Sequence, residues 1–189
     1  MRIIVEGLIG VGKSTFTEEA SKYFKLTPMY ESVDDNPFLE LFYSDDPSRW
    51  AYTLQMHFLY DRFSKHLSEN TILDRSIFGD TCFANLLRDD GVLTEDEHSS
   101  YMKHFGMLKP YIPHVDVCVH LHVSVEQAMD RISKRGRGFE SGIEESYLHK
   151  LQAQVMQIPD RLPKDTKYIK LDWYDMDETQ RLDVIRGLL

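Results

Sequence analysis

Cysteine is scarce in this chain. Its 189 residues hold only Cys82 and Cys118, far apart and in no C-x-x-C arrangement. A zinc ribbon or dithiol redox centre is thereby excluded, and two buried thiols in a reducing cytoplasm are expected. Cations are short as well. Lys and Arg number 22 against 31 Asp and Glu, giving a formal net charge of -9 and a pI near 5.3. This balance argues against nucleic acid as a partner. Any anionic ligand must be held by a local basic cluster. No apolar run approaches membrane-spanning length, so no membrane partner is expected. The first residues read as a core strand rather than a secretory leader. Repeats, linkers and low-complexity segments are absent. So are H-E-x-x-H, a nucleophile elbow, and the N-K-x-D and D-x-x-G signals of a GTPase switch. A chain this long, 42% hydrophobic and 28% charged, has room for one substantial core, hence a single domain over 1–189.

What is present begins at the first residues. Arg2 to Glu6 is an apolar, β-branched run. Gly7-Leu8-Ile9-Gly10-Val11-Gly12-Lys13-Ser14-Thr15 follows. Gly7 to Ser14 matches G-x-x-x-x-G-K-[ST]. Its glycines let backbone N–H groups curl around phosphate oxygens. Lys13 reaches the β- and γ-phosphates, and the Ser14 hydroxyl ligates Mg²⁺. The helix opening at Lys13 adds the positive end of its dipole. Glu31 lies where a dinucleotide-binding fold would place its ribose-binding acid. However, the glycines read G-x-x-G-x-G, and such a fold has no use for Lys13 and Ser14. The motif therefore points to a triphosphate donor, most simply ATP with magnesium.

Hydrophobic periodicity sets out the remaining elements. Helices are expected at 13–25, 36–43, 47–69, 79–89, 94–109, 124–134 with Ser124 as cap, and 143–157. Strands are expected at 2–6, 26–31, 71–74, 115–123 and 168–171. Strands alternating with helices imply an α/β protein, a parallel sheet of about five strands with helices on both faces.

Several residues stand out chemically. Glu31 closes the second strand at the carboxyl ends of the strands, where the Gly7–Ser14 loop also lies, and can take a proton from an attacking alcohol. Asp74-Arg75-Ser76 follows an apolar strand. There an acid suits the magnesium side and an arginine the transferring phosphate. Arg131 to Gly138 (Arg-Ile-Ser-Lys-Arg-Gly-Arg-Gly) is the basic cluster, its glycines suiting a mobile lid over about 134–142. Gln55 and Arg62 share one face of the long helix. His120 and His122 share a strand face with Asp116. A core strand with structural histidines is expected there, rather than a metal site.

In this order the elements resemble the deoxynucleoside kinases, in particular the bacterial and phage branch acting on deoxyadenosine, deoxyguanosine or deoxycytidine. The resemblance covers nearly the whole chain. It is carried by Gly7–Thr15, Tyr30-Glu31, Asn36-Pro37-Phe38-Leu39-Glu40 with Phe42-Tyr43, Arg49-Trp50 with Leu54-Gln55, Asp74-Arg75-Ser76 with Asp80, and Arg131-Ile132 with Arg135-Gly136-Arg137. It implies a three-layer α/β/α P-loop kinase fold with an Arg-rich lid. ATP with Mg²⁺ would phosphorylate the 5′-hydroxyl of a deoxynucleoside other than thymidine. By resemblance, Glu31 is the general base and Asp74, with Ser14, lies on the magnesium side. Arg75, Arg135 and Arg137 are the transition-state cations, with Arg131 in support. Gly7, Gly10, Gly12, Lys13 and Thr15 complete the phosphate site. Tyr43 and Glu140 hold the sugar 3′-hydroxyl, Gln55, Arg62 and Asp80 read the base, and a loop near Asp172 holds adenine. A homodimer through the helices at 47–69 and 79–89, and end-product inhibition by a deoxynucleoside triphosphate, are further expectations. Two rival readings fit less well. A nucleoside monophosphate kinase needs cations near Glu31, and Ser32 to Asp46 contains none. A non-catalytic nucleotide-binding regulatory protein has no use for Glu31, Asp74-Arg75 and the lid together.

Overall fold

The fold is seen in a computed structural model that describes residues 1–33, 35–140 and 142–189. Five parallel strands form one sheet in the order β2-β3-β1-β4-β5. They are β1 (Arg2–Gly7), β2 (Thr27–Met29), β3 (Thr71–Asp74), β4 (Val117–His122) and β5 (Lys167–Asp172). The helices among the described residues are α1 (Lys13–Phe24), α2 (Leu39–Ser44), α3 (Pro47–His66), α4 (Ile77–Asp89), α5 (Glu95–Leu108), α6 (Val125–Arg135), α7 (Glu145–Val155) and α8 (Glu178–Leu188).

The sequence explains the sheet order. β1, β3 and most of β4 are buried along their whole length, as unbroken apolar runs in a covered parallel sheet should be. Right-handed crossovers take the chain leftward from β1 to β2 through α1, and rightward from β3 to β4 through α4 and α5. The helices that follow neighbouring strands β1 and β3 therefore leave on opposite faces. A crevice opens between the two strand ends, and Gly7–Ser14 and Asp74–Ser76 both flank it. Phe16, Ile72, Phe78, Leu121 and Leu148 fill the layers to either side, all essentially inaccessible.

Local chemistry fixes the helix ends. Ser124 caps α6 and exchanges hydrogen bonds with Gln127, as expected, and Gly136 ends that helix in the left-handed region at φ 65°. Ser76 caps α4. Several bounds differ from expectation. β2 stops at Met29, so Glu31 stands in the loop beyond it. Pro37 precedes α2 rather than opening it. The helix α8, unforeseen in the sequence, starts at a capping box of Asp177 and Gln180. The apolar character of α4 has an explanation within the chain. Almost all of it is buried, against α3, α5 and α7, so it does not need a second copy to cover it.

Candidate active site

The Gly7–Ser14 loop leaves β1 and enters α1. At Gly7 (φ 145°) an added Cβ would lie 2.5 Å from the Leu121 carbonyl oxygen, so this turn accepts only glycine. Lys13 is buried in the loop and donates to the Leu8 carbonyl at 2.8 Å. Burial, and then the Arg75 charge, bring its pKa down to about 8, against the opposing pull of Asp74, Glu31 and Glu6. Ser14 Oγ donates to Asp74 Oδ2 at 2.5 Å. The other carboxylate oxygen, Asp74 Oδ1, is buried without a hydrogen-bond partner. A hydroxyl, a carboxylate and an orphaned hard oxygen fit magnesium, which takes few protein ligands when phosphates and water supply the rest.

Arg75 holds an unusual backbone. Its φ of 70° is left-handed, which costs a non-glycine residue about 1–2 kcal/mol. The strain is held by Glu6. This buried acid of β1 accepts from the Ser76 N–H at 2.9 Å and also from the Ser76 hydroxyl. Fixed in this way, Arg75 donates to the Gly7 carbonyl at 3.1 Å, and its Nε lies 3.4 Å from Glu31 Oε2.

Glu31 receives a second guanidinium, that of Arg62, whose Nη2 donates to its Oε1. Burial alone would push the Glu31 pKa up. Arg75, Arg62 and Lys13 outweigh it and hold the acid down at about 2. The two cations come from α3 and from the turn after β3, not from residues 32–46. Arg62 is shared, since its other end pairs with Asp80. Arg62 and Arg75 against Glu31 and Asp80 are two cations for two acids, which leaves no surplus charge there for a phosphate acceptor.

A cavity of about 300 Å³ joins these groups. Lys13, Ser14, Glu31, Tyr43, Gln55, Arg62, Asp74, Arg75, Asp80, Arg135, Arg137 and Glu140 all line it, together with Gly10. Gln55 is buried, and its Oε1 has no partner. Partial burial, then the charges of Glu140 and Glu31, push the Tyr43 phenol up to about 12. Glu140 accepts from Arg135 Nε at 3.1 Å and lies 3.8 Å from Arg137 Nη1. The segment expected as a lid starts later than 134, because α6 continues through Arg135. Its Ser141 lies outside the described residues.

Four expected positions are absent from the cavity wall. Gly7, Gly12 and Thr15 belong to the rest of the loop and the start of α1. Arg131 donates instead to the Val11 carbonyl at 2.7 Å and lies between the Trp173 and Tyr174 rings, 5.1 and 5.0 Å from their centroids. It ties α6 to the loop and to the segment after Asp172. His120 shares a hydrogen bond of 2.7 Å with the Tyr168 hydroxyl. Among the described residues no group of His, Cys, Asp or Glu could hold a metal through three ligands.

The sequence reading missed the apolar walls Phe58, Phe83 and Tyr147 and the supporting residues Glu6 and Tyr101. Glu6 did carry a signal, as a lone acid in an otherwise apolar buried strand. Tyr101 carried none, because its hydroxyl meets the site only through the packing of α5 on α4.

The deoxynucleoside kinase family model matches residues 3–186. The chain belongs to the deoxynucleoside kinase family. It is 40% identical over 147 residues to the deoxyguanosine kinase of Lactobacillus johnsonii, covering 73% of this chain and 65% of that relative. It is 36% identical over 160 residues to the deoxyadenosine/deoxycytidine kinase of Bacillus subtilis, covering 80% and 73% of the two chains. Among solved structures it resembles deoxyadenosine kinase from M. mycoides with bound dCTP. There the TM-score is 0.86 at 26% identity, covering 99% of this chain and 97% of the other. The same kinase with bound dATP gives 0.83 at 27%, covering 99% and 98%.

Proposed function

We propose that this family member transfers the γ-phosphoryl group of ATP to the 5′-hydroxyl of deoxyadenosine, deoxyguanosine or deoxycytidine, forming the monophosphate for nucleotide salvage. One observation carries the reading. Glu31 opens into the same cavity as Lys13, Ser14 and Asp74, so a proton acceptor and a triphosphate cradle face one space. Phosphoryl transfer asks little covalent chemistry of a protein, so positioning and charge are the main tasks. Lys13, Arg75, Arg135 and Arg137 meet the charge on the transferring group. Ser14 and Asp74 would hold Mg²⁺, which neutralises charge on the triphosphate. Glu31 takes the 5′-hydroxyl proton. With two arginines against it, Glu31 is a weak base in the free protein. Donor phosphates that draw Arg75 and Lys13 toward themselves leave it more basic. Tyr43 and Glu140 bind the 3′-hydroxyl at the far wall.

Gln55, Arg62 and Asp80 support the choice of base. Asp80 offers an acceptor beside a fixed cation. The exocyclic amine of adenine or cytosine, or the ring N–H of guanine, can donate to it. Thymine presents a carbonyl and a methyl at that edge, so acceptor would face acceptor. An unpaired buried polar group costs about 1–3 kcal/mol, enough for roughly tenfold to hundredfold discrimination. The test is ATP consumption against a panel of nucleosides, deoxynucleosides and their monophosphates. Deoxyadenosine, deoxyguanosine or deoxycytidine should be used best. A preference for thymidine overturns the assignment of Arg62 and Asp80, and a preference for monophosphates overturns the alcohol acceptor.

Three further properties belong to this reading. The triphosphate of the preferred nucleoside would inhibit by placing its base in the acceptor cavity and its phosphates in the Gly7–Ser14 loop. Competition with both substrates checks this. A homodimer is supported by the exposed side chains Tyr60 and Leu67 on and just after α3, and sedimentation at micromolar concentration tests it. A cytoplasmic location is supported by two free, buried cysteines, and thiol titration of freshly isolated protein checks their state. No described helix is long and apolar enough to cross a membrane.

A further inference from the structure

Asp80 is held from behind. Tyr101 on α5 is inaccessible to solvent and stands outside the cavity wall, yet its hydroxyl donates to Asp80 Oδ2 at 2.7 Å. Asp80 is itself wholly buried, and its other oxygen pairs with Arg62. Arg62 continues to Glu31, and Glu31 to Arg75. A hydroxyl on one oxygen and a guanidinium on the other leave the carboxylate no freedom to turn. With one partner gone, rotation about the Cβ–Cγ bond of an aspartate is soft, because that torsion has broad minima. Phenylalanine would fill nearly the same volume, so packing does not explain the hydroxyl. A buried tyrosine oxygen is tolerated because it has a partner, and here that partner is the acid placed at the base.

We propose that Tyr101 is a positioning residue for base selectivity, acting through Asp80 to fix the carboxylate edge against which the nucleoside base is read. The inference rests on the acceptor reading given above. It adds a residue with no access to substrate, carried by an element remote from the phosphate loop. Without the Tyr101 hydroxyl, Asp80 turns toward Arg62 and presents a less defined acceptor. Bases that donate to it lose more than thymine, which never used it.

The experiment compares wild type, Tyr101→Phe, Asp80→Asn and the double variant, with ATP and each of four deoxynucleosides, alongside thermal midpoints. Tyr101→Phe should lower the kcat/KM ratio of the best nucleoside over thymidine by roughly tenfold. The loss should fall mainly in KM, with kcat on the best substrate changed far less. In the Asp80→Asn background the same substitution should bring no further loss of selectivity. Tyr101→Leu, which also lacks the donor, must shift the ratio in the same direction and stands in if the phenylalanine variant does not fold. An unchanged ratio in an active variant overturns the inference. So does an equal loss on all four substrates that persists in the Asp80→Asn background, because a merely structural hydrogen bond behaves that way. Wild-type protein that phosphorylates none of the four overturns the functional reading itself, and the inference with it.

Discussion

The proposed function makes Glu31 the proton acceptor. It sits in the loop past β2, with Arg75 on one oxygen and Arg62 on the other, and is held down at about 2. A general base works best with a pKa near the working pH, so in that role Glu31 would be a weak base in the free protein. Glu31→Gln keeps the shape and one acceptor oxygen but removes the proposed base. We expect kcat to fall by roughly 10²–10⁴, with nucleoside affinity less affected. Steady-state kinetics across the nucleoside panel measure it, and an unchanged kcat would return Glu31 to a structural role. A pH profile adds a sharper reading. kcat/KM reports the free protein and kcat the loaded one. If donor phosphates draw cations off Glu31, the acid limb of kcat lies at higher pH than that of kcat/KM.

The lid and the phosphate loop are coupled at the level of elements. Gly10 has φ 81°, and a Cβ there would lie 2.7 Å from the Ala128 carbonyl oxygen and 2.9 Å from Ile132 Cγ1. Both belong to α6, the helix that carries Arg131 and Arg135. Gly10→Ala must therefore push α6 off the loop, besides straining the left-handed turn by about 1–2 kcal/mol. On the proposed function Arg135 meets the transferring phosphate, so kcat should fall by at least roughly tenfold, while KM for the nucleoside changes little. A variant with kcat intact would show that loop and lid move independently. The loop and the strands were legible in the sequence, because each follows from local pattern: a glycine spacing and an apolar run. The pairing of Arg62 with Glu31 was not. Heptad spacing put Arg62 beside Gln55 on one helix face, but no local signal says which acids that face meets across the fold. α8 was missed for a different reason. Its capping box was present at Asp177 and Gln180, but the expected elements end with the strand at 168–171.

Taken whole, the molecule keeps histidines neutral in its interior, and that sets its response to acid. His66 is buried, and its Nε2 accepts the Ile77 N–H at 3.3 Å. Burial, and then the Arg2 charge, bring its pKa down to about 3. His120 is held at about 4 by burial, then by Lys170 and His122. Unfolded, each binds its proton near pH 6.5. Between those values the unfolded chain carries more protons than the folded one, so stability falls as pH falls. Two protons make this a slope of roughly 2–3 kcal/mol per pH unit near pH 5, smaller toward pH 6 and pH 4. A domain with only 5–15 kcal/mol in hand cannot sustain that slope for long. Glu31 adds its share later. Its folded pKa is depressed, so its contribution is complete above about 4.5 and is lost as pH drops toward 2. Urea unfolding at a series of pH values should show a steep loss that begins near pH 6.5, well above the carboxylate range. His66→Gln offers an acceptor oxygen to the Ile77 N–H without a titrating ring. It should cut the slope between pH 6 and 4 to about half. A slope identical to wild type would mean that His66 takes up its proton without unfolding, and that the acid response begins elsewhere.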